Sequence, residues 1–250
     1  MRALLLLLSL LVPLAAARAE DVIVGITTTA RPFVETDDAG RLTGGFNVEL
    51  ARLLCQRMGR SCSLEQADFP QVLTGIEEGT FQVGIANLLK TPERERKMLF
   101  SAPIWRSTSS FVAPAGQPAV DPARARALYR VCVVRKSQQE AFLLAQTGPV
   151  DHVVSHASYG ELFAVLARGG CDAALLPTVN VLAFLDSEAG KGYDYSGPPL
   201  RDPRLSGTVH IVVGKGRPEL LRAIDDAIAD IGRDGSYRRL IARFFPFDIL

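Results

Sequence analysis

Short apolar runs with strand character alternate along this chain with segments whose apolar residues recur every three or four positions. Residues 22–25 read as a strand, 48–58 as a helix, 81–86 as a strand and 94–99 as a helix. A second series gives strands over 130–134, 152–154 and 173–176, with helices over 138–145 and 159–167 between them. Alternation of this kind predicts an α/β chain. Ser107 to Ser110 and the Pro/Ala/Gly-rich stretch 113–125 separate the two series and read as a crossing point followed by a loop, so two α/β lobes are the natural parse. Residues 218–245 are helical in period, broken at Gly232 and Gly235, and lead into Phe-Phe-Pro-Phe-Asp-Ile-Leu. No internal repeat is evident.

Local punctuation sharpens three helix starts. Thr91 suits an N-cap because its hydroxyl accepts an orphan backbone N–H, and Pro92 suits the first helical position, where its missing N–H costs nothing. Arg94 then falls in the first turn, where exposed N–H groups and the positive end of the helix dipole favour anions. It is a candidate anion site; the alternative is an exposed arginine paired with Glu93 or another surface acid. Ser137 with Glu140, and Ser158 with Glu161, form two further capping boxes. Gly59 reads as a helix end turning into a strand that begins near Cys62.

Composition adds the compartment. Met1-Arg2, the apolar run from Ala3 to Leu14 and the exit Ala17-Arg18-Ala19 have the layout of a secretory signal peptide, with cleavage expected after Ala19. The run is too short to span a bilayer, and no cysteine near the cleavage point suggests a lipid anchor. Without residues 1–19 the chain loses Arg2 and Arg18 and no acid, so 28 basic against 27 acidic residues becomes 26 against 27, about −1. That balance gives no reason to expect nucleic acid. Four cysteines in an exported chain make disulfides a live possibility. Cys132 and Cys171 each lie at an apolar strand-like run; they meet if those strands are parallel neighbours, and otherwise remain buried thiols.

The stretch Gly84-Ile-Ala-Asn-Leu-Leu-Lys-Thr-Pro-Glu-Arg-Glu-Arg, with Arg31-Pro32-Phe33 and Gly44-Gly-Phe-Asn-Val-Glu-Leu-Ala51, resembles the family 3 periplasmic solute-binding proteins of polar amino-acid ABC importers. The likeness is to the histidine- and lysine/arginine/ornithine-binding branch and runs from about residue 21 to 250. It implies a two-lobed periplasmic-binding-protein type II fold with a hinge and central cleft. The expected division is 1–19 signal peptide, 20–107 with 207–250 as a discontinuous first lobe, and 108–206 as the second, with crossings near Ser107 and Gly207. It also implies a Cys55–Cys62 disulfide. On the first lobe the resemblance gives Arg94 the ligand carboxylate and places Asn87, Phe69 and the loop from Thr27 to Ala30 around the ligand. Phe69 is a candidate lid, with plain core packing as the alternative. On the second lobe the turn Arg135-Lys136-Ser137-Gln138 faces the ligand, while the helix opened by Ser158 is expected away from the cleft and structural.

This chain departs from the pattern at telling places. Where the family carries an aspartate for the ligand's α-ammonium, soon after Asp172-Ala173-Ala174, it has Pro177. The small hydroxylated residue two positions before Thr91 is Leu89, and an aromatic of the first loop is Ala30. A buried ammonium without a counter-charge is costly, so these changes, with Arg135 and Lys136 beside the turn, tilt the site toward an anion with no obligatory α-amine. The competing readings are that Arg135 and Lys136 face solvent and that Asp68, Asp151 or Asp172 replaces the missing acid.

No Gly-x-Ser-x-Gly, Gly-x-x-x-x-Gly-Lys or His-Glu-x-x-His motif is present. His152 and His156 stand four apart on a strand-like stretch without a clear third ligand and read as packing or surface residues, so no metal and no cofactor are expected. The reading is therefore a non-enzymatic, monomeric, periplasmic binding protein that takes a small amino acid or organic anion and hands it to an inner-membrane ABC permease. Two alternatives stand beside it. One is a cyclohexadienyl or arogenate dehydratase-like enzyme, with Glu35 or Glu65 as the acid. The other is an orphan partner of another periplasmic protein.

Overall fold

The computed structural model describes residues 21–28, 31–247 and 249; the expected signal segment and Ala30 lie outside the described residues. Two five-stranded sheets organise them. The first has the order Cys62–Ala67, Val22–Thr27, Val83–Leu89, Gly207–Gly214, Met98–Ser107. Val22–Thr27 is parallel to both its neighbours, and Gly207–Gly214 is antiparallel to both of its own. Val22, Val24 and Ile26 are buried against helix Phe46–Met58 and the C-terminal helices Pro218–Arg233 and Ser236–Phe244. The helix Phe46–Met58 stops at Gly59, which takes the left-handed φ of 64° and lets the next two N–H groups reach Gln56 and Cys55 carbonyls. The Cys55–Cys62 disulfide clamps that turn.

The second sheet has the order Tyr193–Tyr195, Ser109–Pro114, Ala173–Pro177, Val131–Val134, Val153–His156. Its last three strands are parallel, with Ala174 opposite Cys132, and the Cys132–Cys171 disulfide forms beside that pairing. The chain passes from the first sheet to the second at Thr108 and returns between Leu205 and Gly207, which pairs with Ser107. Polar chains stitch this crossing: Gln139 Nε2 donates to Ser109 Oγ, which donates to the Leu205 carbonyl, and Thr178 Oγ1 bonds the hydroxyls of Thr108 and Ser110. Among the described residues no helix is long and apolar enough to cross a membrane.

Several elements differ from the sequence pattern. The helix expected over 94–99 is a single turn, Pro92–Glu95, and the chain then extends into the ten-residue strand Met98–Ser107. Pairing with Gly207–Gly214, which itself carried no distinct sequence signal, overrides the local period. Ser109–Pro114 is a buried strand rather than part of a loop. The C-terminal helix runs through Gly232 and breaks at Gly235 alone, where φ is 75°. Val150–His152 is a 3-10 turn, with the strand starting at Val153.

Helix Phe69–Glu78 carries a cleft residue at its first position, so its seat on the sheet matters. The ring of Phe81 is held between Gly25 on the sheet and Gly75 on the helix; a Cβ would lie 2.6 Å from it at the first and 2.5 Å at the second. Gly75→Ala would ordinarily strengthen a helix by about 1 kcal/mol. Here the ring has backbone on both sides, so we expect the substitution to cost about 1–3 kcal/mol in urea denaturation; a raised midpoint would refute the close-approach argument. Replacing Cys132 and Cys171 together by alanine opens a loop of 39 residues, and the chain-entropy account puts the loss at about 4 kcal/mol in the same assay.

Candidate functional site

Arg94 sits where the two lobes meet. Its backbone N–H is accepted by Thr91 Oγ1 at 3.3 Å, which fixes the turn, and its side chain is 7% exposed. One terminal nitrogen donates to the Leu89 carbonyl of its own lobe at 3.0 Å, and the other to the Lys136 carbonyl of the second lobe at 3.1 Å. The guanidinium also lies 5.7 Å from the Phe69 ring centroid. Among the described residues no carboxylate forms a salt bridge with it, which rules out the exposed surface pair. Burial pulls its pKa down to about 10, with Glu93 opposing the shift only through its charge. The positive charge at this turn is therefore that of a buried guanidinium, since a four-residue turn adds little dipole of its own.

Around this group the structure gathers Asn87, Phe69, Ser137 and Gln138 with Ala86, Leu88, Leu89, Ser107, Gln139, Tyr159 and Pro177. The cavity between them is about 20 Å³, room for about one water and far below the several hundred cubic ångströms of a typical ligand site. The lobes touch directly across it: besides Arg94 to Lys136, the Lys136 ammonium reaches Thr74 Oγ1 at 3.1 Å. Lys136 holds a left-handed φ of 62°, which aims its carbonyl at Arg94 while its N–H goes to Glu140 Oε2 at 2.6 Å. Ser137 spends its hydroxyl accepting the Glu140 N–H as N-cap.

Asn87 is placed by an irregular strand. Leu88 pairs with His210 and Gly84 with Val212, so residues 85–87 oppose Ile211 alone, and Asn87 takes a left-handed φ of 52°. A bulge of this kind re-aims a side chain. Both atoms of the Asn87 amide are buried without a hydrogen-bond partner in the protein.

Two expected residues are not brought into this cavity. Thr27 ends its strand fully buried opposite Ala67 and does not line the cavity, while Arg135 points to solvent on the far side of its turn and acts on Glu161 through charge. Asp68, Asp151 and Asp172 do not line it either; the Asp172 carboxylate accepts the Arg130 N–H at the opposite end of its strand. Nor do Glu35 and Glu65. Among the described residues, then, the lining holds no acid.

The helix expected to stay away from the cleft contributes Tyr159 from its first turn. Burial raises the Tyr159 phenol well above its usual value, with nearby Asn180 opposing the shift. Its placement, and that of Ser107 and Gln139, had no local signal, because it follows from where the second sheet turns. His156 lies beneath that helix with Nε2 3.3 Å from Cys132 Sγ and Nδ1 3.4 Å from Glu161; both sulfurs there are committed to the disulfide. His152 bonds the Arg126 carbonyl.

A cleft between two sheets linked by two crossings, with a buried arginine at its centre, defines a two-lobed binding protein. The sequence comparison gives the family: residues 22–247 match the bacterial extracellular solute-binding proteins, family 3, and the chain belongs to that family. It is 30% identical to the lysine/arginine/ornithine-binding periplasmic protein of Escherichia coli strain K12, covering 98% of this chain and 97% of the relative. It is 29% identical to the L-arginine-binding protein of Pseudomonas aeruginosa, covering 93% and 91%. Among solved structures, an ancestral arginine-binding protein bound to arginine superposes with a TM-score of 0.80 at 25% identity, covering 91% of this chain and 99% of that one. A histidine kinase sensor domain shares the fold at a TM-score of 0.81 and 20% identity, covering 92% and 96%.

Tyrosine ionisation reports on this packing. Burial holds Tyr159 and Tyr237 above the ordinary range and pushes Tyr195 up to about 12. The folded chain therefore keeps protons that the unfolded chain releases near pH 10, so this stability is complete below pH 10 and is lost as pH rises toward 12. In Tyr159→Phe the slope of unfolding free energy against pH should flatten between pH 10 and 12, by up to about 1.4 kcal/mol per unit. An unchanged slope would mean that Tyr159 ionises freely in the folded protein.

Proposed function

We propose that the cleft captures a small organic anion with no obligatory α-ammonium, that Arg94 is its anchor, and that the protein delivers it to an ABC permease of the inner membrane. The observation that carries this reading is a buried guanidinium in a cavity whose described lining contains no carboxylate. A lone buried cation is unfavourable, and an incoming anion removes that cost. A zwitterionic amino acid would satisfy Arg94 and leave its own ammonium buried without a partner. Asn87, Phe69, Ser137 and Gln138 complete the ligand contacts, with Pro177 and Tyr159 closing the far wall. Thr27 and Arg135 act from outside the closed cavity, as support and as rim charge.

The mechanism follows from the contacts across the cleft. As the lobes part about the crossings at Thr108 and residues 205–207, the Arg94 nitrogen bonded to Lys136 is freed for the ligand. Closure over the anion then replaces a carbonyl acceptor by a charged one, which makes a stronger hydrogen bond. Only a ligand that favours the closed arrangement shifts the population toward what a permease recognises. The signal-peptide reading of residues 1–19 and the periplasmic relatives support an exported carrier.

A second reading is favoured by the small cavity and by Arg94 already having two carbonyl acceptors: an orphan partner protein whose cleft stays sealed. Dehydratase-like chemistry has less support, since general acid catalysis needs a proton donor held at the leaving group and no carboxylic acid lines the described cavity.

A thermal-shift panel of amino acids, monocarboxylates and dicarboxylates decides among these. An anion at a hundred times its Kd should stabilise the wild type by about 2.7 kcal/mol and leave Arg94→Gln unmoved. Equal stabilisation by ordinary amino acids would overturn the anion reading. No response to any compound would favour the sealed-cleft partner.

A further inference from the structure

We infer that the ligand is an α-hydroxy carboxylate, whose hydroxyl is read by Asn87 while Arg94 holds its carboxylate. This rests on the anion reading above and goes beyond it by assigning the group next to the carboxylate. Asn87 presents one donor and one acceptor, both buried and both without a partner in the protein, in the cavity that Arg94 lines. Leaving such a pair unmatched is costly, so its natural complement is a group that donates and accepts at once. A hydroxyl does both. An ammonium donates only, so it can meet just the Asn87 carbonyl and leaves the N–H groups to a carboxylate that Arg94 also claims, and it enters a cavity that already holds a cation and no described acid. A keto oxygen accepts only, and a bare alkyl group matches neither atom.

The backbone fixes this reader in place. Asn87 stands where residues 85–87 bulge against Ile211, and its left-handed φ of 52° is a conformation that asparagine tolerates better than most side chains. Leu89 and Pro177 supply no donors from their side chains on either side, and the Ser137 hydroxyl is already engaged by the Glu140 N–H. Among the described residues lining the cavity, Asn87 alone has buried side-chain polar atoms without a partner, and to it we assign the discrimination between a hydroxyl, an ammonium and a hydrogen at the α-carbon.

Isothermal titration with lactate, L-alanine and propionate, which share one carbon skeleton, separates the cases, with both lactate enantiomers and the matching four-carbon set alongside. In wild type one lactate enantiomer or its four-carbon analogue should bind at least tenfold tighter than the unsubstituted acid, and the amino acid should bind weakest. Asn87→Gly keeps the left-handed backbone accessible and removes the amide, so the hydroxy acid should lose its advantage and bind no tighter than the unsubstituted acid measured on the same variant. Amino acid binding equal to or tighter than hydroxy acid, or a hydroxyl preference that survives in Asn87→Gly, overturns the inference. If the unsubstituted acids bind through Arg94 but hydroxyl adds nothing, the anion reading stands and this one fails. If no acid binds wild type, or Arg94→Gln binds them equally, both fail. Should Asn87→Gly not fold, the wild-type ranking of the three compounds decides alone.

Discussion

The two halves of this molecule meet at a buried guanidinium, which together with the Lys136 ammonium on Thr74 links one lobe directly to the other. Arg94 spends one nitrogen on the Leu89 carbonyl of its own lobe and another on the Lys136 carbonyl of the opposite lobe, and it is buried while doing so. A buried cation held by two neutral dipoles is only partly compensated, and this is the ground of the anion reading proposed above. The surroundings are arranged to keep it there. Thr91 caps the turn, Phe69 lies over the guanidinium, and Lys136 accepts a left-handed backbone so that its carbonyl points the right way.

That arrangement needs both lobes to be stiff and the crossing between them to be defined. The Gln139–Ser109–Leu205 chain ties the helix that follows Ser137 to both crossing segments, and Thr178 joins Thr108 and Ser110 just below Pro177. These bonds couple the turn that contacts Arg94 to the crossing itself. The Cys132–Cys171 disulfide acts at the other end of the same strands, where it fixes which residues of the second lobe lie side by side at the cleft. Polar hydroxyls at the crossing and a covalent tie away from it suit a lobe that turns as one body.

Much of the fold was legible because the strand and helix periods are strong where one face is buried. Val22–Thr27 and Phe46–Met58 follow their patterns closely, and Tyr159–Ala167 matches residue for residue. The failures share a cause: Met98–Ser107, Ser109–Pro114 and Gly207–Gly214 become strands by pairing with partners distant in sequence, which no local window contains. The site divides the same way. Arg94 and the Ser137 turn announce themselves through caps, and the loss of an acid at Pro177 can be read against the family pattern. Tyr159 enters the cavity from the first turn of its helix, and Arg135 is exposed outside it. Neither fact is local to the residue concerned.

Neutrality is as much a constructed feature of this cleft as the arginine is. Leu89, Asn87, Gln138, Tyr159 and Pro177 are all uncharged, and burial drives the Tyr159 phenol further from ionisation, so it offers no anion to Arg94. Had an acid remained at any of these positions, it would pair with Arg94 in the closed molecule, and a carboxylate ligand would have to displace it. On the same proposed reading, a lining without an acid leaves the arginine free for an external anion and an amino acid's ammonium without the partner it requires. On the reading proposed above the two effects are one electrostatic property: a site whose cation has no carboxylate partner among its described lining residues favours anions over zwitterions.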